Sequence, residues 1–174
     1  MNKLILLLMS FSVLTCKTQD LPVIDQLDLN RYQGLWYEIA RLPNSFEKKL
    51  DRVTATYSLR ADGKVQVINK GYLIKNPSRY KQVKGVAWVP DAKQPAKLKV
   101  RFFWPFSGKY WVIELDKEYR YALVGDPSRK YLWILSRTKH LAPDIYDHLL
   151  ETAKSHGFNT STIIKVNQND TGKL

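Results

Sequence analysis

The sequence predicts an all-β domain, an eight-stranded up-and-down antiparallel β-barrel with one C-terminal α-helix packed outside it. Three observations predict it. Eight stretches of alternating polar and apolar residues follow one another with only short turn signals between them. A single stretch of helical period comes after them. Finally, Gly34-Leu35-Trp36 opens the first strand and Arg137 ends the last long one. In a closed sheet these strands are neighbours, so the guanidinium can lie over the indole and plug one end. Such a cation–π contact contributes about 0.5–2 kcal/mol. A barrel plugged at one end and open at the other is a cup.

Each element has its own signal. Lys3 and the mostly apolar run from Leu4 to Leu14 read as an export signal over residues 1–15, too short to span a bilayer. Cys16 is the only cysteine, which excludes an internal disulfide. Val13-Leu14-Thr15-Cys16 resembles the lipobox of bacterial lipoproteins, with Thr15 in place of the usual Gly, Ala or Ser. The alternative is an ordinary signal peptide followed by an incidental cysteine. Residues 16–27 then read as a lipidated Cys and a polar tether, and Lys17 after the cysteine, rather than Asp, points to the outer membrane.

The barrel is expected over 28–167. Residues 28–33 form a helical turn, and strands follow at 35–42, 52–59, 64–74, 80–89, 96–103, 109–115, 119–125 and 130–136. Ala61-Asp62-Gly63, Asn76-Pro77-Ser78, Trp104 to Gly108, Asp116-Lys117-Glu118 and Asp126-Pro127-Ser128 supply turns. The helix is expected at about 143–156, with Pro143 in its first turn and Gly157 as its cap. Its apolar stripe is Ile145, Leu149, Leu150 and Ala153, and the doubly apolar strand Tyr131 to Leu135 offers the surface to cover. A short ninth strand at 162–166 and a frayed tail at 168–174 complete one domain without repeats.

Side chains alternate across a strand, so parity assigns the interior. Lys97, Lys99 and Arg101 face out, while Leu98, Val100 and Phe102 face in. The same rule sends Val65, Val67, Asn69, Gly71 and Leu73 inward, with Tyr57 and Leu59, with Trp111, Ile113 and Leu115, and with Trp133, Leu135 and Arg137. Registered on Trp36, the first strand turns Glu38 and Ala40 inward. Eight strands leave room for one small ligand, and Ala40, Ala55, Gly71, Gly85 and Ala87 keep that room open; a solid core is the alternative. Glu38, Tyr57, Val67, Asn69, Leu73, Leu98, Val100, Phe102, Trp111, Ile113, Trp133 and Leu135 are the expected ligand-contacting wall. Glu38 is costly in an apolar cup unless paired or protonated, which marks it for a structural or ligand-tuning role.

No catalytic constellation stands out. His140, His148 and His156 lack metal-site spacing, and no nucleophile elbow, phosphate-binding loop or Cys-X-X-Cys occurs. No metal and no cofactor are expected. Without the leader and its Lys3, 27 basic residues face 16 acidic ones, a net charge of +11. For an exported chain that excess favours anionic lipid headgroups over nucleic acid.

These residues together resemble the lipocalin family, in particular the bacterial outer-membrane lipocalins related to apolipoprotein D. Gly34-Leu35-Trp36 is similar to the family's first region, and Tyr131-Leu132-Trp133-Ile134-Leu135-Ser136-Arg137-Thr138 to its third. Tyr37 to Arg41, Ala55 to Leu59 and Asn69 to Tyr72 resemble the bacterial subgroup. Asp116-Lys117-Glu118-Tyr119 departs from the usual second region. The resemblance implies Trp36 and Arg137 as the closed-end pair and a lipid-binding calyx, with fatty acid or lysophospholipid as cargo. It further implies attachment to the outer membrane on the periplasmic side by a lipid anchor at Cys16 (or a soluble periplasmic form), a possible homodimer, and lipid storage or transport. An enzyme on the same scaffold, using Glu38 as acid or base, is the alternative.

Overall fold

The computed structural model describes residues 20–169; the export signal, Cys16 and residues 170–174 lie outside them. A short helix α1 (Leu29–Tyr32) leads into β1 (Gly34–Arg41), β2 (Leu50–Leu59), β3 (Val65–Leu73) and β4 (Asn76–Trp88). Then follow β5 (Lys97–Phe103), β6 (Phe106–Leu115), β7 (Tyr121–Gly125) and β8 (Leu132–Ser136), the helix α2 (Pro143–Ser155), and the short β9 (Ile164–Lys165). Each strand from β2 to β7 pairs antiparallel with its successor. β1 pairs with both β2 and β8, which closes an eight-stranded barrel, and β9 adds to the outer edge of β1.

Local chemistry explains the boundaries. Asp28 caps α1 through its Oδ1, which accepts from the Asn30 N–H at 2.8 Å. Gly34 takes φ +95°, a conformation other residues rarely hold, where α1 hands over to β1. Pro143 sits in the first turn of α2. At its other end Gly157, at φ +84°, lets the Phe158 N–H reach back to the Ala153 carbonyl. Two turns differ from expectation. The β3–β4 reversal uses Ile74 and Lys75, and Asn76 already belongs to β4; likewise β6 begins at Phe106, straight after Trp104-Pro105.

The core has two layers. Inside the barrel lie Trp36, Tyr57, Val65, Val67, Leu98, Val112, Val124 and Leu135. Outside it, α2 presses Tyr146, Leu149 and Ala153 onto Ile113, Leu123, Leu132 and Ile134, with Phe158 sealing the edge. Leu149 is fully buried, and burying a leucine contributes about 1.5–3 kcal/mol. Tyr146 takes the buried place in the stripe; Ile145 and Leu150 are only half-buried.

This second layer overturns part of the parity assignment. Trp111 and Ile113 face outward into the cluster under α2, and their neighbours Tyr110 and Val112 face in. β6 is apolar on both faces, so its pattern has no phase, and a one-residue slip exchanges the faces. A register shift between Val112 and Glu114 then returns Leu115 to the interior. A similar shift between Glu38 and Ala40 in β1 turns Ala40 out beneath the helix.

The segments outside the barrel are also more tightly held than expected. The tether is laid onto the barrel from Asp20 on: Leu21 is buried under the helix layer, and the Ile24 N–H donates to the Val112 carbonyl at 3.1 Å. Asp20 meets the Lys97 ammonium at 2.9 Å. Gln168, assigned to the frayed tail, is buried, and its Nε2 donates to the carbonyls of Glu38 at 2.7 Å and Val53 at 2.9 Å.

Candidate functional site

The closed end is built from Trp36, Arg137 and three tyrosines. The Arg137 guanidinium lies 3.9 Å from the centre of the Trp36 ring. It also donates to the carbonyls of Leu35 at 2.9 Å, Arg31 at 2.8 Å and Tyr119 at 3.2 Å. One cation thus ties α1, β1 and the β6–β7 turn together. Trp36 is fully buried and donates its indole N–H to the Tyr32 carbonyl at 2.9 Å. Above this pair, the Tyr110 hydroxyl sits 2.8 Å from that of Tyr32 and 2.9 Å from that of Tyr57. Burial pushes all three phenols up, so each stays a neutral hydrogen-bonding group.

Over this floor stands a cavity of about 790 Å³. Val53, Ala55, Val65, Val67, Ala87, Leu98, Val100, Phe102 and Leu135 give it an apolar wall, with Asn69 and Trp133 among the polar exceptions. The Asn69 Oδ1 is buried without a hydrogen-bond partner, an acceptor left for a donor within the cup.

The upper wall holds two buried acids facing one cation. Arg41 Nη1 lies 2.6 Å from Glu38 Oε1, and its Nη2 donates to the carbonyls of Glu47 at 2.9 Å and Leu50 at 3.1 Å. Glu47 Oε2 accepts from Asn44 Nδ2 at 2.6 Å and from the Trp133 indole N–H at 3.2 Å. Burial, reinforced by the Glu47 charge, drives the Glu38 carboxyl well above the usual range in spite of Arg41. The site thus favours the protonated form of Glu38 more than water does. The Glu38–Arg41 pair braces the wall, and Glu47 holds the Trp133 indole in place.

Of the expected wall residues, Glu38, Tyr57, Val67, Asn69, Leu98, Val100, Phe102, Trp133 and Leu135 line the cavity. Trp111 and Ile113 do not, for the reason given by β6, and Lys97 and Lys109 lie over the outward Trp111 ring at 4.4 and 5.7 Å. Leu73 has the right parity but ends β3 beyond the lining. Reading the residues alone missed Tyr32, Tyr110 and Glu47. Tyr110 was hidden by the wrong phase of β6; Glu47 sits in the aperiodic loop between β1 and β2, where no pattern marks an inward residue. Among the described residues no cluster of His, Cys, Asp and Glu is arranged to hold a metal. His148 instead links α2 to the barrel, its Nε2 lying 2.7 Å from Glu114 Oε1.

A closed antiparallel barrel with one plugged end, an outer helix and an apolar interior defines a ligand-binding calyx. Residues 27–168 match the family model described as a lipocalin-like domain, and the chain belongs to the lipocalin family. It is 48% identical over 165 residues to outer membrane lipoprotein Blc of Escherichia coli K12, covering 91% of this chain and 92% of that protein. Bovine apolipoprotein D is 36% identical over 155 residues, 84% of this chain and 80% of the relative. Among solved structures, insecticyanin of the tobacco hornworm superposes with a TM-score of 0.69 at 26% identity, over 87% of this chain and 86% of that one.

Proposed function

We propose that this protein is a non-catalytic carrier of a fatty acid or lysophospholipid, held at the periplasmic side of the outer membrane by a lipid on Cys16. The observation that carries the reading is the apolar cavity of about 790 Å³, a volume in the range of small-ligand sites. An acyl chain lies against Val67, Leu98, Val100 and Phe102, and Lys81 and Lys109 at the rim attract an anionic head. The names of the bacterial relatives, outer membrane lipoproteins, support the location.

Native mass spectrometry of gently purified protein is expected to reveal bound acyl lipid, and titration with a lysophospholipid to quench tryptophan fluorescence. Trp133→Ala removes a wall ring and the donor to Glu47, and is expected to weaken that binding about tenfold or more, equivalent to about 1.4 kcal/mol. Unchanged affinity would take Trp133 out of the site. A lipid turned over by the native protein but not by Glu38→Gln would replace the carrier with an enzyme. Metabolic labelling with palmitate, lost in Cys16→Ser, checks the anchor.

A further inference from the structure

Binding a lipid inside the cup does not account for one sector of its rim. At the tip of the β5–β6 hairpin, Phe103, Trp104 and Phe106 are 71%, 81% and 77% exposed. On the adjoining β3–β4 tip, Ile74 and Tyr80 are 57% and 56% exposed. Large rings are seldom left so open in a contiguous group unless the surface has a partner. The two tips also stand apart. β4 is bonded to β3 from Asn76 to Ala87, nearly its whole length, but meets β5 only from Val86 to Trp88. The strand edge from Asn76 towards Gly85 therefore faces β5 without a ladder, beside cavity-lining Lys81, Gln82, Phe102 and Phe103.

Charge identifies the partner. Residues 63–113, which contain β3 to the greater part of β6, hold eleven Lys and Arg and a single acid, Asp91. Lys75, Arg79, Lys81 and Lys109 are exposed around the two tips. Aromatic rings at a tip seat themselves at headgroup depth in a bilayer, and nearby cations are drawn to an anionic lipid surface. A second copy of this chain is disfavoured as the occupant, because a symmetric contact would set the same cations against each other.

We propose that the β3–β4 and β5–β6 tips form a docking surface for anionic lipid bilayers. The hairpin at 103–106 enters the headgroup layer, the cations face the lipid phosphates, and the mouth of the cavity is held against the membrane. The docking needs neither an acyl group on Cys16 nor an occupied cavity.

The test uses the Cys16→Ser chain, which has no anchor, and vesicles of phosphatidylcholine with or without about 30% phosphatidylglycerol. The chain is expected to sediment with the anionic vesicles, to be released by high salt, and to show a blue shift of tryptophan emission. Ile74→Ser with Trp104→Ser, neither of which lines the cavity, is expected to weaken vesicle binding about tenfold. Its Tm and its lysophospholipid affinity are expected to stay as they were, which separates this surface from the carrier site. Lys75→Glu with Arg79→Glu is expected to abolish the preference for phosphatidylglycerol. Failure of the unanchored chain to bind anionic vesicles, or equal binding by the Ile74/Trp104 variant, overturns the proposal. So does a concentration-dependent dimer that dissolves in that variant while vesicles are ignored, for it would make a second copy the occupant.

Discussion

The two ends of this barrel are made by the same strands and have opposite chemistry. At the floor, one guanidinium serves three backbone carbonyls and an indole face, and the Tyr110 phenol bonds to those of Tyr32 and Tyr57. Trp36 is wholly buried there. At the mouth, Trp104 is 81% exposed, and cations stand around it without acidic neighbours in sequence from Lys93 to Ile113. Buried polar groups must be paired where water is excluded; at the rim they need not be. The floor therefore holds the fold, and the mouth is released from that requirement. Stability and binding are expected to respond to different substitutions.

The largest effect is expected at the floor. Trp36→Ala removes a ring packed on Tyr32, with centroids 4.9 Å apart, and lying beneath Arg137. A loss of about 3–5 kcal/mol is expected for truncating a buried aromatic, read as a lower urea midpoint. Arg137→Met comes next. It leaves the carbonyls of Leu35, Arg31 and Tyr119 without their donor and costs about 2–3 kcal/mol, below a fully buried loss because Arg137 is partly open to water. Arg137→Lys keeps the charge but not the fork, and recovers less than half of that loss. If either variant lost cargo affinity in its folded fraction while keeping its midpoint, the division between floor and mouth would fail.

The floor and much of the wall were legible in the sequence for a physical reason. β5 alternates strictly between cations and apolar residues, so Leu98, Val100 and Phe102 could be placed inside. Gly34-Leu35-Trp36 and Arg137 sit at strand ends that only a closed barrel brings together. β6 was not legible. Its outer face is covered by α2 and its inner face lines the cup, so both parities are apolar and Trp111 was read in the wrong phase. The bulge that turns Ala40 outward leaves no mark on a pattern of period two. Glu47 was missed because its loop has no period at all, although Asn44 fixes it through both backbone and side chain.

Acid and base are expected to probe the two regions separately. Near the floor, the Arg120 guanidinium, 2.8 Å from Asp116 Oδ2, holds the Asp116 carboxyl down to about 2 from the usual 3.8. A depressed carboxyl stabilises the fold fully above its unfolded value, and that contribution is lost as pH falls through the folded one. Asp116→Asn is thus expected to remove about 1 kcal/mol at neutral pH, water around the exposed Arg120 having screened the rest, and to flatten the decline between pH about 4 and about 2. Glu38, high on the wall, is shifted the other way by burial and by Glu47. Its native state holds a proton that the unfolded chain releases above the usual 4.5, so its contribution is present at low pH and is lost as pH rises through the raised folded value. Glu38→Gln is expected to remove that decline. Urea midpoints measured across the pH range for both variants check the two signs; a Glu38→Gln profile parallel to the native one would mean that Arg41 keeps Glu38 ionised.

The smallest expected effect makes the sharpest contrast, because it concerns the same residue type at the other end. Trp104 has most of its surface in water, so little apolar area returns to water when its ring is removed. Exposed substitutions away from caps, cores and networks stay within about 0.5 kcal/mol. Trp104→Ser is expected to leave the urea midpoint within that margin, against the several kcal/mol lost on truncating Trp36. A large drop would mean that the β5–β6 tip packs on the body of the barrel in solution, and the rim would then be part of the structural core instead of a surface kept open for lipid.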